Sequence, residues 1–355
     1  MDAVRLHLKT PHSDNPYSVF NPAPSSTLVL EHDVPIPQPT EPGQMLIRVN
    51  ATTVIRDALT WPETYAEEFR ILGHDFSGTV VSTYKEQNAP FKPGDEVYGM
   101  TSATRAGTWA EYAIVSAEEA CLKPSQLTWA EAAAVPLSAL TAYQALFEKA
   151  GIVPPDFHTS QGHSGSHEVG ENPGRCRVLV TGAAGCVGLY AVQLARLAGL
   201  HVVAATSSNS RNQSLLHRLG ADEVVEYGDL SKSPELFQIV IDTTGGEVLT
   251  MCWKLVSTDG TLVSVDSASY DFVEKHRKSG IADGKGAVKA MFFIVSPSTQ
   301  ALGRLAVALD RRLLEPFVAR VMPLADARMA YDLCETVRTE RGKIVLIPRH
   351  GEEAV

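Results

Sequence analysis

Apolar and polar positions alternate through the first third of the chain. MLIRVNATTV (45–54), FSGTVVSTY (76–84) and AEYAIVSAEEACL (110–122) read as half-buried strands, because a period of two places every second side chain on one face. FKPGDEVYG (91–99) inserts a Pro-Gly-Asp turn between them, so this part predicts a mostly β module. At LTWAEAAAVPLSALTAYQALFEKAG (127–151) the period becomes helical, with Gly151 as the stop, and a domain boundary is expected near residue 128.

Residues 152–175, IVPPDFHTSQGHSGSHEVGENPGR, have no period and predict an exposed loop. His158, His163 and His167 within it are irregularly spaced, which suits solvated loop residues better than a metal site. Beyond the loop, apolar runs alternate with helical segments. RVLVTG, HVVAATSS, ADEVVEY, FQIVIDTTGG, GTLVSVDS and KAMFFIVS predict strands; VGLYAVQLARLAG, SLLHRLG and EVLTMCWKLVS predict helices between them. The first helix carries Val187, Ala191, Leu194, Ala195 and Ala198 on one face. Near-continuous apolar strands separated by helices imply a parallel sheet covered on both faces, hence an α/β fold. PSTQALGRLAVALDRRLLEP predicts a further helix, and GKIVLIP a closing strand.

A chain of 355 residues exceeds the usual size of a single core, in keeping with two domains. The net charge of -10, with no block rich in Lys and Arg, argues against a nucleic-acid partner. Five scattered cysteines without a C-x-x-C pair suggest reduced thiols, and no apolar run approaches a membrane span. MDAVRLHLKT carries charge where a signal peptide needs apolar residues, so a cytosolic protein is expected.

VLVTGAAGCVGLYAVQLA joins a strand to a helix through Gly182, Gly185 and Gly188. Glycines allow the backbone to turn tightly and approach a pyrophosphate, which the helix N-terminus attracts. About 20 residues on, where an acid would hold the ribose diol of NADH, the chain reads ATSSNSRN. Ser207, Ser208 and Arg211 suit a 2′-phosphate, so NADPH is the expected cofactor; the alternative for Arg211 is a solvated residue at a helix start.

The LTAYQAL helix, the AAGCVG loop, LGADEVVEY, IDTTGG and RGKIVLIP together resemble the medium-chain dehydrogenase/reductase superfamily, in its zinc-free quinone oxidoreductase-like branch. The resemblance covers nearly all of the chain except 152–175 and 270–289. It implies a GroES-like β domain from 1–127 and 297–355, a Rossmann domain at 128–296, and an active site in the cleft between them. Thr141, Ala184, Gly185, Cys186 and Val187 would lie along the cofactor, and Ser207, Ser208, Arg211 and Tyr227 around its 2′-phosphate. Thr243, Val265, Phe293, Val295 and Lys343 would approach the nicotinamide side. Relatives are commonly dimers through the Rossmann sheet edge, a role that KAMFFIVS suits as well as burial within one subunit does.

In zinc-dependent relatives the metal takes a Cys from the stretch matching ATTVIRDALTW, the His of a G-H-E motif, and a Cys or Asp from the stretch matching VPLSALTAY. Here Ile55 and Leu137 or its neighbours take the outer places, and His74 in ILGHDFSG lacks thiolate partners, so no metal is expected. Without a Lewis acid, hydride transfer favours an acceptor already activated by conjugation, a quinone or an α,β-unsaturated carbonyl. Arg56, Asp57, Trp61 and Tyr65 are the candidates on the substrate side. Arg56 would face pyrophosphate or a substrate oxygen, or pair with a surface acid. Asp57 would hold substrate or relay a proton, or cap a helix; Trp61 and Tyr65 would stack on a planar acceptor, or pack. The branch often carries Asn where Ile55 stands. The competing functions are a zinc alcohol dehydrogenase with unusual ligands, a non-catalytic NADPH-binding protein and a redox-neutral biosynthetic enzyme.

Overall fold

The computed structural model describes residues 1–8, 17–84, 89–159, 175–232, 236–336 and 340–349. The alternating segments of the first third form β strands. A short antiparallel pair, β1 (Ala3–Leu6) and β2 (Leu28–Glu31), precedes β3 (Gln44–Thr53), β4 (Asp75–Thr83), β5 (Glu96–Met100), β6 (Tyr112–Ser116) and β7 (Ala120–Leu122). The inward side chains of β3 to β7, among them Met45, Ile47, Phe76, Val97 and Val115, make one apolar core.

The helical stretch after them is not one helix. It divides into α1 (Trp129–Ala134) and α2 (Pro136–Tyr143), because Pro136 has no N–H to continue the ladder, and α2 ends in a π-type turn over Gln144–Lys149. A capping box starts α1: Glu131 N–H bonds Thr128 Oγ1 at 3.3 Å, and Thr128 N–H bonds Glu131 Oε2 at 2.9 Å.

From residue 175 strands and helices alternate as expected: β8 (Arg177–Val180), α3 (Cys186–Leu197), β9 (His201–Thr206), α4 (Asn209–Arg218), β10 (Glu223–Glu226), β11 (Phe237–Asp242), α5 (Gly246–Leu255), β12 (Val256–Ser264), α6 (Phe272–Lys278) and β13 (Lys289–Phe292). The six strands are parallel in the order β10-β9-β8-β11-β12-β13, a doubly wound sheet that reverses direction of growth beside β8. α3 is buried all round from Gly188 to Ala195, more than the single face expected, since it lies on β8 and β9 and also touches the turn after α2.

The chain then forms α7 (Thr299–Asp310), β14 (Val318–Pro323), α8 (Ala327–Glu335) and β15 (Lys343–Ile347). α7 stops at Asp310, short of the predicted 316, where Arg312 takes a positive φ of 56°. β14 pairs with β15 in parallel, and β15 joins β3 antiparallel, so both ends of the chain build one seven-stranded sheet.

The first unit comprises Met1–Leu137, Ser296–Asp310 and Glu315–Val355; the second comprises Ser138–Val295 with Arg311–Leu314. The composition change at 127/128 is thus not where the first unit ends. α1 packs Ala133 and Ala134 on Ala51 and Val345, and Ser77 Oγ donates to Trp129 O at 2.7 Å, so the helix belongs to the β unit. Of the predicted loop, 160–174 lies outside the described residues, His163 and His167 with it. The described part is anchored: Phe157 is buried, and Arg311 Nη1 donates to its carbonyl at 2.7 Å. No helix among the described residues is long and apolar enough to cross a membrane.

Candidate functional site

β8 delivers the chain into Thr181–Gly185, and α3 begins immediately after. Gly182 has a φ of +61°, and a Cβ there would stand 2.2 Å from Thr243 Oγ1. At Gly188 a Cβ would meet Gly182 O at 2.2 Å, so the loop closes onto the helix only with glycine at both places. Gly185 is the N-cap and has no side chain to cover the amino end of this twelve-residue helix. The helix dipole and exposed amino end form a cradle that fits a pyrophosphate. Ala184, Gly185, Cys186 and Val187 line it, half-buried or exposed.

Asp242, at the end of β11, holds this region together and was not picked out from the sequence. Its fully buried carboxylate accepts from Thr181 Oγ1 at 2.6 Å, Ser264 Oγ at 2.9 Å and Gly245 N–H at 3.1 Å. It thereby ties the ends of β8, β11 and β12. Burial pushes its pKa up, against those hydrogen bonds, which lower it. The acid in IDTTGG was the available signal, a buried carboxylate at a strand end followed by two donors and two glycines. Thr243 is fixed beside it, its Oγ1 donating to Thr181 O at 2.9 Å, and Val265 N–H bonds Asp242 O at 3.0 Å.

Ser207 is exposed beyond the end of β9, Ser208 caps α4 by position and shares a 3.0 Å hydroxyl contact with Ser210, and Arg211 is exposed on the first turn. Tyr227, expected around the 2′-phosphate, lies against the glycine loop. Its hydroxyl accepts from Gly182 N–H at 3.1 Å and lies 3.4 Å from Thr244 Oγ1, because the chain leaving β10 turns back toward the glycine loop. Thr141 is buried on α2, Phe293 lies under the Lys149 ammonium at 5.3 Å, and Val295 is half-buried just past β13.

The remaining candidates belong to the β unit. Arg56 is exposed in the turn after β3. Asp57 has a left-handed φ of 63°, and its side chain does not cap the turn that follows; its carbonyl instead accepts from Thr60 N–H and Oγ1, each at 2.7 Å. The predicted helix here is two short 3₁₀ turns, Ala58–Thr60 and Pro62–Tyr65. Tyr65 is not available to stack on a substrate. Its ring packs on the core, while its hydroxyl accepts from Ala23 N–H at 2.8 Å and donates to Leu59 O. Trp61 sits with its ring 5.5 Å from that of His74, and its buried Nε1–H has no partner among the described residues.

His74 is buried between Trp61 and Thr101, whose hydroxyl lies 3.4 Å from Nδ1. Burial lowers its pKa to about 4, only partly opposed by neighbouring Asp75. Asp75 in turn takes Thr53 Oγ1 at 2.5 Å, Leu137 N–H at 2.7 Å and the Lys343 ammonium. Lys343, expected on the nicotinamide side, is therefore committed to this buried pair: a carboxylate with no water around it needs a cation. Among the described residues no three His, Cys, Asp or Glu side chains gather as a metal site.

A doubly wound parallel sheet with a glycine loop in one unit, and a β-rich fold in the other, define a two-domain α/β protein with a dinucleotide-binding cradle. Residues 41–125 match the alcohol dehydrogenase GroES-like domain, and 219–346 match the zinc-binding dehydrogenase family. The chain is 35% identical over 339 residues to a probable zinc-binding oxidoreductase, mitochondrial, of Arthroderma benhamiae, covering 93% of this chain and 96% of that one. It is 30% identical over 303 residues to the mouse NAD(P)H oxidoreductase RTN4IP1, mitochondrial, covering 79% and 70%. The quinone oxidoreductase structure from Coxiella burnetii superposes with a TM-score of 0.78 at 25% identity, covering 98% of this chain and 99% of that one. The chain belongs to the medium-chain dehydrogenase/reductase superfamily, in its quinone-oxidoreductase-like part. It is an oxidoreductase of that type with a nicotinamide cofactor. The expected cytosolic location is overturned by these relatives, two of which are named mitochondrial.

Proposed function

We propose that the protein is a mitochondrial, NADPH-dependent reductase of quinones or α,β-unsaturated carbonyls that works without catalytic zinc. The observation that carries the reading is the glycine cradle at the ends of parallel strands, with Ser207, Ser208 and Arg211 where β9 supplies no acid. NADPH, when bound, supplies a hydride. The chain's part is to hold and orient: the α3 amino end neutralises pyrophosphate, Asp242 fixes the strand ends around it, and Thr243 and Val265 set the floor beside it. Arg56, Asp57 and Trp61 remain the residues assigned to the acceptor.

Support for zinc-free chemistry comes from the ligand places themselves. Ile55 packs on the core, Leu137 offers its backbone N–H to Asp75, and His74 is enclosed by Trp61 and Thr101. Conjugated acceptors fit this arrangement, since their negative charge spreads onto an oxygen that hydrogen-bond donors stabilise. A zinc-dependent reading draws on the matched family's zinc-binding description. The two are separated by following NADPH oxidation at pH 7 with quinones, enones and simple aldehydes before and after chelator dialysis, with metal content measured on the same samples. Turnover of quinones or enones that survives the chelator is the expected result. Stoichiometric zinc whose removal abolishes turnover overturns the zinc-free reading; an inert panel with NADPH bound overturns the substrate class. Import of the tagged full chain into isolated mitochondria tests the location.

A further inference from the structure

We infer that Glu226 is a specificity-determining residue that holds down the preference for NADPH over NADH. The inference rests on the dinucleotide reading above. β9 ends without an acid, but its neighbour supplies one: in the parallel pairing Glu226 stands opposite Thr206, the last residue of β9. Glu226 Oε1 accepts the backbone N–H of Asn209, the first residue of α4, at 2.7 Å. The Asn209 amide reaches back to Val224 O at 3.3 Å, which pins the start of the helix to β10. Thus the carboxylate missing from the usual strand is delivered to the same corner from the next one.

Two consequences follow from chemistry. A carboxylate already seated on the amino end of α4 places negative charge where Ser207, Ser208 and Arg211 would receive a 2′-phosphate, and like charges repel there. Its second oxygen has no partner among the described residues and is an acceptor suited to a ribose hydroxyl, the role an acid plays in NADH recognition. The serines and the arginine favour the phosphate, and Glu226 opposes it, so the wild-type chain prefers NADPH by less than those three residues alone would give.

The test is calorimetric titration of the full chain with NADPH and NADH, and with 2′,5′-ADP and 5′-AMP to read the ribose end alone. Glu226→Gln keeps an acceptor for Asn209 N–H and removes the charge. It should tighten NADPH and 2′,5′-ADP by about fivefold, the scale of one like charge removed at a partly exposed site, and weaken NADH. Glu226→Asp keeps the charge and should leave the ratio of the two affinities close to wild type. An unchanged ratio in Glu226→Gln, or equal shifts in both variants, overturns the assignment while leaving the cofactor reading intact. A wild-type chain that binds neither dinucleotide overturns both.

Discussion

His74 illustrates how much a single buried side chain reports. Its folded pKa of about 4 lies below the ordinary value of 6.5 because the imidazolium cannot be hydrated where it sits. A depressed pKa means that the folded state disfavours the proton, so the stability due to neutral His74 is complete above pH 6.5 and is lost as pH falls toward 4. Unfolding free energy should drop by about 3 kcal/mol across that window relative to His74→Gln, measured by urea denaturation of both chains at several pH values. A pH profile parallel to that of the variant would show that the ring is solvated. The octet ILGHDFSG revealed the histidine and, through Ile55 and Leu137, the lack of thiolates, yet not what surrounds it. Trp61 and Thr101 come from separate segments, 13 residues before it and 27 after it, and no local pattern joins them. For Tyr65 the local sequence left stacking and packing both open for the same reason: its partner Ala23 is 42 residues away.

At the scale of elements, the strand ends matter more than the strands. The apolar runs gave the six parallel strands directly, since burial on both faces leaves few other ways to place them. Glycine spacing likewise marked the loop. What escaped was the polar joinery, Asp242 with Thr181 and Ser264, and Glu226 with Asn209, because a carboxylate in a sequence does not announce which neighbouring strand it will serve. Asp242→Ala leaves two buried hydroxyls and the Gly245 N–H without their acceptor. It should cost about 2–4 kcal/mol and weaken NADPH binding as the loop loosens. Thermal melts with and without NADPH check this; a variant as stable as wild type, with cofactor affinity kept, would remove Asp242 from the account. The division of the long helical run at Pro136 was in plain view, and the Ala-rich helical period on both sides of it obscured the break.

For the whole molecule, β13 is the outer strand of the parallel sheet, and Ile294 just beyond it is 58% exposed. An open edge next to an exposed apolar side chain favours pairing with a second copy, so we expect dimers of the 38.3 kDa chain by light scattering. Ile294→Lys should shift that population to monomer without loss of secondary structure, and a wild-type monomer at tens of micromolar would rule the pairing out.

The sheet shared by β3 and β15 also bears on how the chain matures during synthesis. The parallel-sheet unit has all its segments once residue 314 has emerged, whereas the β unit still lacks β15 and, with it, Lys343. Until that lysine emerges, Asp75 has no cation to accompany it into the interior. Translation order and folding order therefore differ: the inserted domain is free to fold first, and the β unit begun at β1 is joined only later by β15, the strand that pairs with β3.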